Sequence, residues 1–174
     1  MRGLLLAILI PTTSDRKHLL DRVVAELDKQ RLGKNVILII NEDQRQKTTG
    51  KKRNELIEAA VANKADYISF VDDDDMIGET YIQRGIEVME SGMDCGELWG
   101  NYYVRGKLIK PFHHSITHKE WYEDKQFYYR MPNHLNFQKL ELVKNIPFPD
   151  QTFGEDGKQS YAMRDAGIFK TEYK

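Results

Sequence analysis

The chain has 174 residues, enough for one domain with a substantial core and short for two. Its 26 basic and 27 acidic side chains nearly cancel to a formal charge of -1, which argues against a protein held to nucleic acid by bulk electrostatics. The lone Cys95 excludes an internal disulfide and fits a reducing, cytoplasmic compartment.

Met1-Arg2-Gly3 followed by the apolar run Leu4 to Ile10 has the outline of a signal peptide. It continues into Pro11-Thr12-Thr13-Ser14-Asp15-Arg16 without a small-residue cleavage site, and it is too short to span a membrane. A buried first strand is the better reading. Asp15 to Arg31 places Leu19, Leu20, Val23, Val24 and Leu27 at helical spacing, with Ser14 or Asp15 as cap, and Val36 to Ile40 is a second continuous apolar strand. A second helix is expected from Arg53 or Asn54, with Leu56, Ile57, Ala60 and Val61 on one face, followed by a strand ending at Val71. The first 75 residues read β-α-β-α-β, and right-handed crossovers make these strands parallel, with their carboxyl ends on one edge.

Gly78 to Ser91 is predicted helical with Gly92 as its stop. Beyond it the pattern weakens, with short strands expected at Leu98 to Val104 and Lys107 to Phe112 and helical character at Asn136 to Val143 and Lys158 to Asp165. The stretch from Leu98 to Phe137 holds ten of the chain's 18 aromatic residues. Trp99, Tyr102, Tyr103, Trp121, Tyr122, Tyr128 and Tyr129 are expected mostly in a core, with one or two lining a site for a sugar ring or base.

Chemistry concentrates at Asp72 to Asp75, four aspartates directly after a buried strand. Ligands collect at such strand ends in open α/β sheets. Close like charges disfavour mutual ionisation unless a cation neutralises them, and hard oxygen ligands suit Mg²⁺ or Mn²⁺. The alternative is a solvated acidic turn that caps the next segment. Gly50-Lys51-Lys52-Arg53-Asn54 sets cations against the dipole of a helix start, which a bound diphosphate would explain and a solvated basic loop would tolerate. Glu155-Asp156 is either a general base with its neighbour or a charge pair at a helix N-terminus. His134 is a metal ligand, a substrate contact or an ordinary loop histidine, while His113, His114 and His118 lack the spacing and cysteine partners of a zinc site.

Taken together, Pro11-Thr12-Thr13 with Arg16, Gly50 to Asn54, Phe70 to Met76 and Phe153 to Gly167 resemble the nucleotide-sugar-dependent glycosyltransferases of the GT-A fold, family 2-like group. Asn133 to Asn136 also resembles a stretch of small phage-encoded members, which would place the protein in a host cytoplasm. The resemblance implies a Rossmann-like, mostly parallel central sheet flanked by helices. Residues 1–75 would be the nucleotide-binding half and 76–174 the acceptor half of one domain. It implies a divalent metal, Mn²⁺ or Mg²⁺, on Asp72 and Asp74, with Asp73 and Asp75 in reserve and His134 as a further ligand. A UDP-sugar donor would contact Pro11, Thr12, Thr13, Arg16, Glu42, Asp43, Lys51, Arg53, Asn54, Asp72 and Asp73. Asn41 stands where the family often carries aspartate. Asp156, or failing it Glu155, would deprotonate the acceptor hydroxyl of a glycan, lipid, protein or modified DNA, with inversion at the anomeric carbon. The competing functions are a metal-dependent nucleotidyltransferase and a non-catalytic nucleotide-sugar binding module.

Overall fold

The computed structural model describes residues 2–174. The apolar runs become three parallel strands, β1 (Leu6–Thr13), β2 (Val36–Asp43) and β3 (Tyr67–Phe70), with β1 between the other two. Helices α1 (Lys17–Arg31) and α2 (Thr49–Ala62) connect them. The two-residue period of β1 divides its side chains between two cores. Leu6, Ile8 and Ile10 pack with Leu20, Val23 and Leu27 of α1 and with Ile82, Val88 and Met89 of α3 (Tyr81–Ser91). Ala7 and Leu9 pack on the opposite face with Leu56, Ile57 and Ala60 of α2 and with Met163 of α5 (Glu155–Asp165). Helices therefore cover both faces, which explains why β1 is apolar without alternation.

The sheet grows to six strands through three two-residue pieces, β4 (Cys95–Gly96), β9 (Gln138–Lys139) and β10 (Glu172–Tyr173), in the order β10-β4-β9-β3-β1-β2. Only β9 runs against the others. A second sheet, ordered β5-β6-β8-β7, is built from β5 (Leu98–Val104), β6 (Lys107–His114), β7 (Tyr122–Glu123) and β8 (Tyr128–Arg130). The result is an α/β fold whose parallel β2-β1-β3 unit is Rossmann-like.

Several boundaries differ from the sequence reading. Helix α2 starts at Thr49, because the Thr48 hydroxyl caps it by accepting from the Lys51 amide at 3.1 Å. Helix α3 starts at Tyr81, three residues late, and ends as expected at Gly92, whose φ of 69° closes the last turn. The segment expected to be helical from Asn136 is β9 followed by α4 (Leu140–Val143), a single turn. None of the seven aromatic residues assigned mostly to a core is fully buried: six lie on the strands of the second sheet, away from the two helix-covered cores, and Trp121 lies just before β7.

The amino end of α2 is clamped to the loop before α5. The Gly50 amide donates to the Gln151 carbonyl at 3.0 Å, and the Asn54 side chain bonds both the amide and the carbonyl of Phe148. A Cβ on Gly50 would collide with the Pro149 carbonyl oxygen. Ala favours a helix over Gly by about 1 kcal/mol, but forced overpacking costs about 1–3 kcal/mol. Gly50→Ala is therefore predicted to lower the denaturant midpoint, and a raised midpoint would show that the 149–151 loop yields freely.

Candidate active site

The aspartates follow β3 at the carboxyl edge of the sheet, beside the chain leaving β1, where the parallel strands turn to opposite sides. Each has a different partner. The Arg53 guanidinium donates to both oxygens of Asp72, at 3.0 and 3.1 Å, and its Nε reaches Glu155 at 3.3 Å. The same guanidinium lies over the rings of Phe70 and Phe148, at 5.2 and 5.7 Å. Asp73 accepts from the Thr12 hydroxyl at 2.6 Å, and Arg16 bridges Asp73 and Asp74 at 2.6 and 2.8 Å. Asp75 turns back and accepts from the Asp72 amide at 3.0 Å.

Electrostatics separate these carboxyls. Burial pushes Asp72 up, but the Arg53 charge, aided by the nearby His134 ring, outweighs it and holds Asp72 well below the usual carboxylate range. Burial and the charge of Asp72 push Asp75 up to about 7. Burial also raises Asp73, although Thr12 and Arg16 oppose it. The cluster thus holds more negative charge than its two arginines relieve.

Asp156, in the first turn of α5, joins this edge from far along the chain. His134 lies between the two groups, with Nε2 3.8 Å from Asp72 Oδ2 and Nδ1 3.9 Å from Asp156 Oδ2. It is buried, burial lowers its pKa, and its Nδ1 has no hydrogen-bond partner among the described residues. Asp72, Asp74, Asp75, His134 and Asp156 line one pocket of about 760 Å³, closed on its far side by the second sheet through Tyr102, Phe112, Tyr128 and Arg130. Glu155 faces inward instead, buried against Arg53, and burial raises its pKa.

The other expected contacts divide. Lys52, which the sequence reading left out of the donor contacts, is buried; it donates to the Thr12 carbonyl at 2.9 Å and to Asp43 at 3.0 Å. Burial raises Asp43, but the Lys52 bond overrides it and leaves this carboxyl lowered. Glu42 and Asp43 border a separate depression with Ser14 and Lys47. Asn54 serves the Phe148 clamp, Lys51 is exposed, and Asn41 donates to Glu55 at 2.8 Å. Pro11 is buried at the end of β1, and the Thr13 hydroxyl and Arg16 Nε are buried without hydrogen-bond partners. Arg130 also escaped the sequence reading. It stacks on Trp121 at 4.2 Å and has no carboxylate partner among the described residues. No periodic signal marks either residue, although the basic run at Gly50 to Asn54 contained Lys52.

No group of three or more His, Cys, Asp or Glu side chains is arranged to hold a metal among the described residues. The carboxylates do fit the sparser site typical of Mg²⁺, in which one or two protein carboxylates share the ion with phosphate and water. Asp72 and Asp74 face the pocket with side chains 35% and 61% exposed, and Arg16 already places a cation against Asp74.

No protein-family model and no curated protein matches this sequence. Among the solved structures that share its fold are two of different origin. TarS 1-349 from S. aureus superposes with a TM-score of 0.55 at 14% identity, covering 91% of this chain and 55% of that one. A197 from STIV superposes with a TM-score of 0.51 at 15% identity, covering 92% of this chain and 78% of that one. The chain therefore spans little more than half the length of the TarS chain.

The raised Asp75 pKa carries a sign. Between the ordinary aspartate range near 4 and about 7, the folded protein holds a proton that the unfolded chain has lost, so this group's contribution to stability falls as pH rises through that window. Asp75→Asn keeps an oxygen for the Asp72 amide and removes the charge. It is predicted to raise the melting temperature at pH 8, with the gain shrinking toward pH 4; an equal gain at both pH values would show that Asp75 does not titrate in this window.

Proposed function

We propose that the protein is a metal-dependent glycosyltransferase of the GT-A type, which moves a hexose from a UDP-sugar to an acceptor hydroxyl with inversion. The observation that carries this reading is the meeting of Asp72 and Asp74 with Asp156 across one pocket, with only the His134 ring between Asp72 and Asp156. Residues 1–75 form the nucleotide half and 76–174 the acceptor half of one unit.

Asp72 and Asp74 would hold Mn²⁺ or Mg²⁺ against the diphosphate, where it would stabilise the charge of the departing group. Arg53 fixes the Asp72 carboxylate in place, and Arg16 supplies a second cation beside Asp74. Thr13 and Arg16 carry unused donors suited to phosphate or ribose oxygens, next to the wall formed by Pro11 and Thr12. Lys51 is exposed for a longer-range contact with the nucleotide, and Glu42 and Asp43 border the depression assigned to its base.

Asp156 is the base, because it lines the pocket while Glu155 is committed to Arg53. It takes the proton of the acceptor hydroxyl as the oxygen attacks the anomeric carbon. His134 presents Nε2 to the metal side and Nδ1 to Asp156, so it stands as a further metal ligand or as the spacer between donor and acceptor halves.

One observation favours a binding module. Arg16 and Arg53 already pair with three of the four aspartates, an arrangement stable without turnover. Release of UDP from a panel of UDP-sugars, with Mn²⁺ or Mg²⁺ and then with a chelator, separates the two. Slow release that stops on chelation is expected. Asp74→Ala should then lower it by about 10²-fold or more, as loss of transition-state charge stabilisation does. Asp156→Asn should lower acceptor transfer by about 10²–10⁴-fold while leaving UDP affinity intact. UDP binding without release from any donor would favour the module, and wild-type release by Asp74→Ala would sink the assignment.

A further inference from the structure

The hairpin β5–β6 projects from the second sheet. Its strands pair from Leu98 opposite His114 to Val104 opposite Lys107, and a two-residue turn, Arg105-Gly106, joins them with φ of 51° and 75°. Both residues at positive φ suit the twist of a tight hairpin, so the tip is defined by its own turn. All nine residues from Asn101 to Ile109 are exposed. Five of them are large and apolar or aromatic: Tyr102, Tyr103, Val104, Leu108 and Ile109, each between 40% and 49% exposed.

Scattered apolar residues are normal on a surface, but a contiguous group on a projecting tip marks an interaction site. Beyond the contact of Tyr102 with the Tyr128 ring, at 5.9 Å, every residue on both faces of the hairpin from Tyr103 to Ile109 is exposed. A protein partner or the next subunit of an oligomer usually covers one face of a strand pair, whereas a lipid interface surrounds an inserted tip on every side. The charges point the same way. No acidic residue occurs from Leu98 to Lys119, in a chain whose overall charge is -1. Lys110 is paired with Glu123, which leaves Arg105 and Lys107 at the turn without a carboxylate partner among the described residues. The turn itself is basic, and the apolar side chains and tyrosines follow it on both strands, so a hairpin entering a bilayer surface obliquely would set Val104, Leu108 and Ile109 in the apolar interface while Arg105 and Lys107 extend to the anionic headgroups.

We propose that the β5–β6 hairpin is a membrane-docking element that inserts Val104, Leu108 and Ile109 into an anionic lipid surface while Arg105 and Lys107 contact its headgroups. Tyr102 and Tyr103 also line the pocket that holds Asp72 and Asp156, so docking would set the pocket mouth against the bilayer. The inference does not depend on sugar transfer, because vesicle binding requires neither donor nor metal.

Cosedimentation of the full chain with vesicles of phosphatidylcholine alone, and with phosphatidylglycerol added, tests it. Binding is expected only with phosphatidylglycerol and should weaken as salt rises. Arg105→Ser with Lys107→Ser should weaken it by about tenfold or more, given the attraction of each basic residue to an anionic surface. The triple variant Val104→Ser, Leu108→Ser, Ile109→Ser should abolish it. None of these five residues lines the pocket or is buried, so circular dichroism and UDP affinity should stay at the parent values. Absence of binding to anionic vesicles, or binding unchanged in the triple variant, would overturn the proposal. So would a dimer seen by sedimentation equilibrium without lipid that the triple variant converts to monomer, since the tip would then belong to a second copy.

Discussion

The buried Arg53 guanidinium is the group on which the site depends. Placing a full positive charge at 2% exposure is costly, and the cost is offset only if the surroundings supply opposite charge and hydrogen bonds. Here they come from two places far apart in the chain, Asp72 after β3 and Glu155 at the start of α5, with the rings of Phe70 and Phe148 packed together against the guanidinium. Without the arginine, two carboxylates would face each other in a poorly hydrated crevice already crowded by Asp73 and Asp75. The ion set therefore joins the carboxyl edge of the sheet to α5, and with α5 it fixes Asp156.

Much of this was legible in the sequence because burial leaves a periodic record. The continuous apolar runs of β1, β2 and β3 and the helical spacing of α1 gave the parallel core in its correct order. The aspartates stood out because four carboxylates in a row follow a buried strand, and Glu155-Asp156 because a second acidic pair stands between two glycines, although a helix start favours acidic residues in any case. The second half resisted for physical reasons. Strands of two residues, such as β4, β9 and β10, are too short to show any period, and they are held by neighbours rather than by their own composition. The aromatic residues resembled a core because composition does not reveal how many layers cover a sheet.

Within the site, residue types were easier to read than their duties. Arg53 and Asn54 were grouped as nucleotide contacts because they share a basic helix start. The fold separates them: Arg53 holds two carboxylates, while Asn54 clamps the Phe148 backbone. Lys52, just before them, ties the end of β2 to the end of β1 through Asp43 and the Thr12 carbonyl. Neighbours on a helix point in different directions, so one run of sequence became three unrelated supports. Arg130 offered no comparable clue, since its place in the pocket depends on the register of β8 beside β6.

The clamp between α2 and the 148–155 segment also bears on how the protein is made. Its contacts, from Asn54 to Phe148 and from Arg53 to Glu155, join residues 94 and 102 positions apart. Closing loops of that length raises contact order and slows folding relative to the local helix and strand pairings. On a ribosome residues 2–75 emerge before residues 76–174, so Arg53 can pair with Asp72 well before Glu155 can reach its Nε. Until then Arg53 sits in a half-built crevice with one carboxylate instead of two, so the pocket is among the last parts of the molecule to assemble. The nascent chain would be most exposed to misfolding and proteolysis in the interval between completion of β3 and release of α5.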